Sequence, residues 1–535
     1  MSSIDVREIL RSTEPPEKRP RRGDDHLGGF DEKENGVAEG ATPSADDVLA
    51  AIESAEETPP VDEHSVKQLI LQLEKRILKN REMRIKYADE PHKFMESEME
   101  LNVAIQEMHM IATQPDLYEL LVQHGAVESI LQLLVHENTD IVAAVVNLLQ
   151  ELTDVETLGE SEEGAAALVD ALLSGQLIGT LVQSIERMNE TVKDESDAVH
   201  NALAIVENVL DFRSETADLC VNQGLLTWLL KRIAQKGAFD GNKLYSSELL
   251  GMVLLGAESA RKSLTEKIDG IDVLLRALAS YKRHDPSSQD EREYMENLFD
   301  ALCAALMFAP NRQKFLDGEG LQLMNLMLRE RKQSRESALK VLDYATTGPE
   351  GGNNCDKFVE ILGLRTLFPL LMRTPAKAKR KDTSPDEHEE HVCAVVSSLL
   401  RSCSESNRER VISKFVEQDH AKVDRLVELH FKYSERVRKV QAKQKPALTP
   451  AAADQQYVDK LDGGLFTLQL VALVLAEVCI NGAHSCRDRA SKLLNMKGGS
   501  LNQVKDVLIE YMENLGPEAT KEKERANNLI AKLVQ

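Results

Sequence analysis

Aromatic side chains are scarce: Phe, Trp and Tyr make up 4% of 535 residues, with a single Trp. Strands favour such residues, so a sheet-rich fold is disfavoured. The seven cysteines are scattered and form no C-x-x-C pair, which argues against a disulfide framework or a zinc ribbon and for reduced packing thiols. No stretch approaches the roughly 18 consecutive apolar residues of a membrane span. The opening "MSSIDVREILRS" lacks the apolar region of a secretory signal, so a protein kept inside the cell and off membranes is expected. Cations are outnumbered, 65 Lys+Arg against 89 Asp+Glu, for a formal net charge of -24. Such a charge repels phosphate backbones, which disfavours direct nucleic-acid binding and favours a basic protein partner. Nucleotide loops of the G-x-x-x-x-G-K-[ST] and G-x-G-x-x-G types are missing, as is a G-x-S-x-G nucleophile elbow. No cofactor and no catalysis are therefore expected. "HEEH" at His388 to His391 is one residue short of the zinc-protease H-E-x-x-H and has no third ligand nearby. It reads as a solvated helix start rather than a metal site.

What the chain does have is helical periodicity. Residues 1–64 are rich in Glu, Asp, Gly, Pro and Ser and read as a disordered arm, with one short helix-prone stretch from Asp46 to Ile52. From Val66 onward, Val66, Leu69, Ile70, Leu73 and Ile77 fall at helical spacing, which predicts an N-terminal helical cap over 65–115. Residues 116–441 are expected to form repeats, 442–456 a Pro/Ala-rich linker and 457–535 a C-terminal helical cap. "RTPAKAKRKDTSPDE" from Arg373 reads as an exposed loop.

The repeats announce themselves through glycine. Gly125, Gly175, Gly224, Gly270, Gly320 and Gly363 each precede a short Leu-rich helix and recur every 43 to 50 residues, close to the roughly 40 to 47 of armadillo and HEAT units. A longer helix follows each short one. In the first copy Thr139 is the expected cap, and Ile141, Val145, Leu148 and Leu152 form an apolar stripe. One helix pair cannot cover its own apolar face, whereas stacked pairs can. The expected fold is an all-α, right-handed armadillo/HEAT-like solenoid with glycine at the tight corners.

Longer stretches carry a more specific likeness. "EKRILKNREMRIKYADEPHKFMESEMELN", "IQEMHMIATQPDLYELLV", "DGEGLQLMNLMLRERK", "DKFVEILGLRTLFPLL" and "LDGGLFTLQLVALVLAEVC" together resemble the beta-catenin-like family of nuclear armadillo proteins, from about Asp62 to Tyr511. The resemblance implies a non-catalytic, spliceosome-associated scaffold of the nineteen complex. Implied partners are splicing factors with basic nuclear-localisation-type segments, such as the Myb-like cell-division-cycle-5-like protein, and in vertebrates activation-induced deaminase. A homodimer is a further expectation. The alternative is an importin-like transport adaptor that reads basic peptides.

Two sets of residues are candidates for function. "KRPRR" (Lys18, Arg19, Pro20, Arg21, Arg22) has the form of a nuclear import signal, its cations held extended by proline for a reader of the importin alpha type. The other reading is a solvated basic run. "KAKRK" at Lys377 to Lys381 is a weaker second candidate. For the partner groove, Glu207 with Asp211 and Glu296 with Asp300 fall at i, i+4 on the longer helices, joined by Glu151, Asp154 and Glu248. These carboxylates suit a basic peptide; the alternative is a solvated acidic face. Asn208 stands where an importin alpha would hold a peptide backbone, but Ala204 occupies the matching Trp position and Trp228 falls on a short helix, as a core residue would.

Overall fold

The structure, a computed structural model, describes residues 62–375, 384–444 and 449–533. "KRPRR", Asp46 to Ile52 and Lys377 to Lys381 lie outside the described residues. Among those described there are helices and turns and no strand.

Two antiparallel helices open the fold, α1 (Glu63–Lys86) and α2 (Pro91–Met108). Asp62 caps α1 by accepting from the Ser65 amide. The repeats follow as α3 (Tyr118–Gln123), α4 (Ala126–Leu133) and α5 (Thr139–Leu152), then, after α6 (Val155–Glu160), α7 (Glu162–Ser174), α8 (Leu177–Ile185) and α9 (Lys193–Phe212). Next come α10 (Thr216–Asn222), α11 (Leu225–Ala234) and α12 (Gly241–Gly256), and α13 (Glu258–Glu266), α14 (Gly270–Leu278) and α15 (Gln289–Leu306). Two more triplets are α16 (Ala309–Asp317), α17 (Gly320–Glu330) and α18 (Arg335–Thr346), and α19 (Gly352–Glu360), α20 (Leu364–Met372) and α21 (Pro385–Ser402). The C-terminal part holds α22 (Glu405–Ser413), α23 (Glu417–Gln441), α24 (Pro450–Lys460), α25 (Phe466–Asn481), α26 (His484–Met496), α27 (Leu501–Glu513) and α28 (Thr520–Leu533).

Each unit therefore has three helices where periodicity predicts two. The extra one precedes the glycine. In two units it is polar, since α13 buries only Ala260, Ser263 and Leu264, and α16 only Asn311 and Phe315, whereas α7 buries Ala165, Leu168, Val169 and Leu172. Tertiary hydrogen bonds hold these short helices. Asn311 Nδ2 donates to the carbonyls of Arg261 and Ala305, both at 2.8 Å, so one side chain ties its helix to the preceding third helix and to the neighbouring first helix. Asn354 does the same one unit later, to Arg312 and Ala345. The third helices α5, α9, α12, α15, α18, α21 and α25 pack successively on one another. Ile141, Val145, Leu148 and Leu152 are all buried in that stack, as their spacing predicts. The cap of α5 is Asn138, which accepts from the Asp140 amide at 2.9 Å; Thr139 is the first helical residue instead.

The corner glycines serve two different ends. Gly125 and Gly224 have φ of 71° and 94°, a conformation in which a side chain is strained. Elsewhere Gln176, Glu319 and Leu362 take the left-handed position. Gly320 is needed for closeness: a Cβ there would stand 2.3 Å from the buried Phe315 ring. Gly320→Ala is expected to lower stability by about 1–3 kcal/mol through overpacking, read as the shift of the urea midpoint. An unchanged midpoint would show that the Phe315 ring yields freely.

One helical stretch, Pro450–Asn481, is long and apolar enough to cross a membrane, and 78% of its apolar window is buried inside the protein. Thr467 to Cys479 is buried without interruption, so α25 is the core helix around which α23, α27 and α28 pack. Of the seven cysteines, all free, only Cys403 is partly exposed.

Candidate partner-binding face

A polar seam runs along the third helices, from one unit to the next. Asn201 Nδ2 donates to Asn147 at 2.8 Å between α5 and α9. The Tyr245 hydroxyl on α12 donates to Glu207 on α9. Asn297 on α15 reaches Ser247 on α12 at 3.4 Å, and Ser337 on α18 donates to Glu296 at 2.6 Å. Lys340 Nζ lies 2.6 Å from Asp300. Between α18 and α21, His388 Nδ1 is 2.6 Å from Glu336 and His391 Nδ1 is 3.0 Å from Asp343. Helical repeats bring the same position of successive third helices into register, so each rung joins residues about one repeat apart.

Of the expected groove residues, Glu207, Asp211 and Glu248 come together around Tyr245. Burial pushes the Tyr245 hydroxyl far above its usual range, and Glu207, Glu248 and Asp211 add to the shift. Tyr245 thus stays protonated and donates. Burial also raises the Asp211 carboxyl above its ordinary value. Glu296 and Asp300 form a second group further along, where Lys340 already offsets part of the charge. Glu151 and Asp154 belong to neither: Glu151 meets His109 Nδ1 at 2.6 Å, and Asp154 caps α6 by accepting from the Glu156 amide at 2.9 Å. Asn208 is buried, and so is Trp228, 7% exposed, on the second helix α11. No Trp therefore stands on the third helices to wall a cationic side chain.

Tyr245, Lys340 and the two histidines escape a reading of the sequence because their partners lie 38 to 52 residues away. His388 also corrects the expected solvated helix start: it is 2% exposed, with Nε2 3.2 Å from the Leu370 carbonyl. It is a buried strut between α18, α20 and α21. Among the described residues no group of three or more His, Cys, Asp or Glu is placed to hold a metal ion.

The arrangement suits recognition of cations: side-chain carboxylates on adjacent third helices, oriented by neutral donors, accept charge-assisted hydrogen bonds from Lys or Arg. Comparison with known proteins agrees with the fold. Residues 45–509 match the family described as "Catenin-beta-like, Arm-motif containing nuclear". The chain is 54% identical over 467 residues to beta-catenin-like protein 1 of Bos taurus, covering 85% of this chain and 83% of that one. The protein of the same name from Homo sapiens is 53% identical over the same span and coverage. The Schizosaccharomyces pombe homolog is 30% identical over 490 residues, 90% of this chain and 84% of that one.

Proposed function

The chain belongs to the catenin-beta-like family of Arm-motif containing nuclear proteins, and from that premise we propose that it is a non-catalytic nuclear scaffold in pre-mRNA splicing. It joins the nineteen complex and binds basic, nuclear-localisation-type segments of splicing factors, the Myb-like cell-division-cycle-5-like protein among them. The observation that carries the reading is the carboxylate group of Glu207, Asp211 and Glu248 around Tyr245, on a chain of net charge -24. Such a field raises the encounter rate of a Lys/Arg-rich segment, and close charge pairs then hold it. The importin-like alternative lacks the Trp walls that reading a peptide in that way requires. Affinity purification from nuclear extract tests the proposal directly. Recovery of splicing factors with basic segments supports it, and a preparation free of them counts against it.

Nuclear entry falls to "KRPRR" in this reading. Changing Lys18, Arg19, Arg21 and Arg22 to Ala is expected to move a tagged protein to the cytoplasm while the helical circular dichroism spectrum stays the same. A variant that remains nuclear would transfer the role to Lys377 to Lys381 or to a partner that carries the protein in.

A further inference from the structure

Helix α1 carries a second apolar stripe, on a side that the fold does not use. Leu71, Leu78 and Ile85 are 61% to 77% exposed and recur every seven residues. Seven residues turn an α-helix by about 700°, only about 20° short of two full turns, so the three side chains line up. Other sides of α1 build the fold: Val66, Ile70, Leu73 and Ile77 are buried, and Arg76, Lys79 and Asn80 meet α2 at Glu100 and Ser97. Exposed apolar side chains are ordinary when single. Three in line on one helix mark a contact surface.

The charges beside the stripe point to its occupant. Around the helix axis Glu74 and Arg81 fall on one flank, about 40° and 60° from Leu78, and Lys75 and Glu82 fall on the other, at about 60° and 40°. Lys75, Arg81 and Glu82 are exposed and Glu74 partly so. The ion pairs of α1 among the described residues belong instead to Lys67, Arg76, Lys79 and Arg84, and Arg81 donates to Gln132 Oε1 at 3.3 Å. Each flank thus has one carboxylate and one cation seven residues apart, a rise of about 10.5 Å, too far to pair within one helix. A second copy of α1, laid antiparallel across Leu78, brings them together. A twofold axis level with Leu78 sets that residue against its own copy and Leu71 against Ile85, and turns each flank towards the same flank of the other chain. Glu74 then stands within about 1.5 Å in height of Arg81 of the second copy, and Lys75 of its Glu82. The antiparallel course also places the positive end of each helix dipole beside the negative end of the other.

We propose that the chain pairs with a second copy of itself through the outer face of α1, as a twofold antiparallel contact of three apolar layers flanked by four ion pairs. One patch serves both chains, as an isologous interface requires. A single helix face buries less than the roughly 800 Å² per partner of a standard interface, so the dimer is weak and depends on concentration.

Sedimentation equilibrium of the full chain, over about a hundredfold range of concentration, tests this. The weight-average mass is expected to climb from that of one chain towards that of two. Arg81→Glu sets like charges against Glu74 twice in each dimer and is expected to raise Kd at least tenfold. Adding Glu74→Arg exchanges the two signs and is expected to restore the wild-type Kd, with the circular dichroism spectrum unchanged in both variants. Three results would overturn the proposal. A chain that stays monomeric across the range would leave the stripe to a different protein, and a Kd untouched by Arg81→Glu would move self-association to another face. A double variant weaker than the single one would exclude the antiparallel course, since copies running parallel set Glu74 beside Lys75 instead.

Discussion

Neutralising the carboxylates around Tyr245 is expected to weaken binding of a Lys/Arg-rich splicing-factor peptide by about 100-fold. Glu207→Gln, Asp211→Asn and Glu248→Gln keep an acceptor at each position and remove only charge. Charge pairs at interfaces contribute about 1.5 kcal/mol or more each. With two of the three carboxylates paired with the peptide at once, the loss is about 3 kcal/mol, which at about 1.4 kcal/mol per decade is roughly two decades in Kd. The larger effect is expected here rather than at Glu296 and Asp300, because Lys340 lies against Asp300 and already offsets part of that charge. Stability is expected to change little, because a Gln at 207 still accepts from Tyr245. Fluorescence anisotropy at two salt concentrations is the measurement. Affinity in the wild type should fall as salt rises, since at about 1 M the Debye length is only about 3 Å. Wild-type affinity in the folded triple variant would show these carboxylates to be a solvated face and send the search for the docking site elsewhere.

Removing Glu389 is expected to have the largest effect on stability. This carboxylate is buried on α21 and collects four donors: Arg425 at 2.9 Å and Thr374 at 2.5 Å on one oxygen, Lys432 at 2.6 Å and Tyr433 at 2.8 Å on the other. Burial alone would raise its pKa, but the hydrogen bonds from Lys432, Thr374 and Tyr433 outweigh it and hold the group below the ordinary carboxylate value. Glu389→Leu removes the carboxylate that Arg425 and Lys432 share and leaves each with one, more exposed, partner, Glu428 and Asp386. Breaking a buried pair from one side costs about 3–5 kcal/mol, and with these partners left the loss is expected at about 3 kcal/mol. The folded pKa is depressed, so the contribution is fully present above the unfolded value of about 4.3. It is lost as pH falls through the folded value. The difference between wild type and variant should therefore be large at pH 7 and shrink below about pH 4. Because the network joins α21 to α23, the C-terminal helices should lose protection from hydrogen exchange before the central repeats do. Equal urea midpoints for wild type and variant at pH 7 would sink this account.

Much of this protein is determined by sequence alone, because one-dimensional periodicity suffices for it. The all-α class follows from apolar stripes such as Ile141, Val145, Leu148 and Leu152, all of which are buried. The repeat length follows from the corner glycines, and Trp228 is the core residue that its place on a short helix implies. Tertiary structure decided the rest. First helices such as α13 and α16 bury too few apolar residues to show a stripe, and α16 and α19 are held by long-range bonds, those of Asn311 and Asn354. His388 of "HEEH" is buried and His391 partly so, because Glu336 and Asp343, 52 and 48 residues upstream, supply partners that water would otherwise provide. The expected groove residues divide for the same reason. Glu207, Asp211 and Glu248 gather around Tyr245, while Asp154 is taken by a helix cap and Glu151 by His109. Spacing along a helix tells which side chains share a face. Which face meets which neighbour is settled only when the helices stack, because the free energy of a buried charge depends on the partners that stacking brings to it.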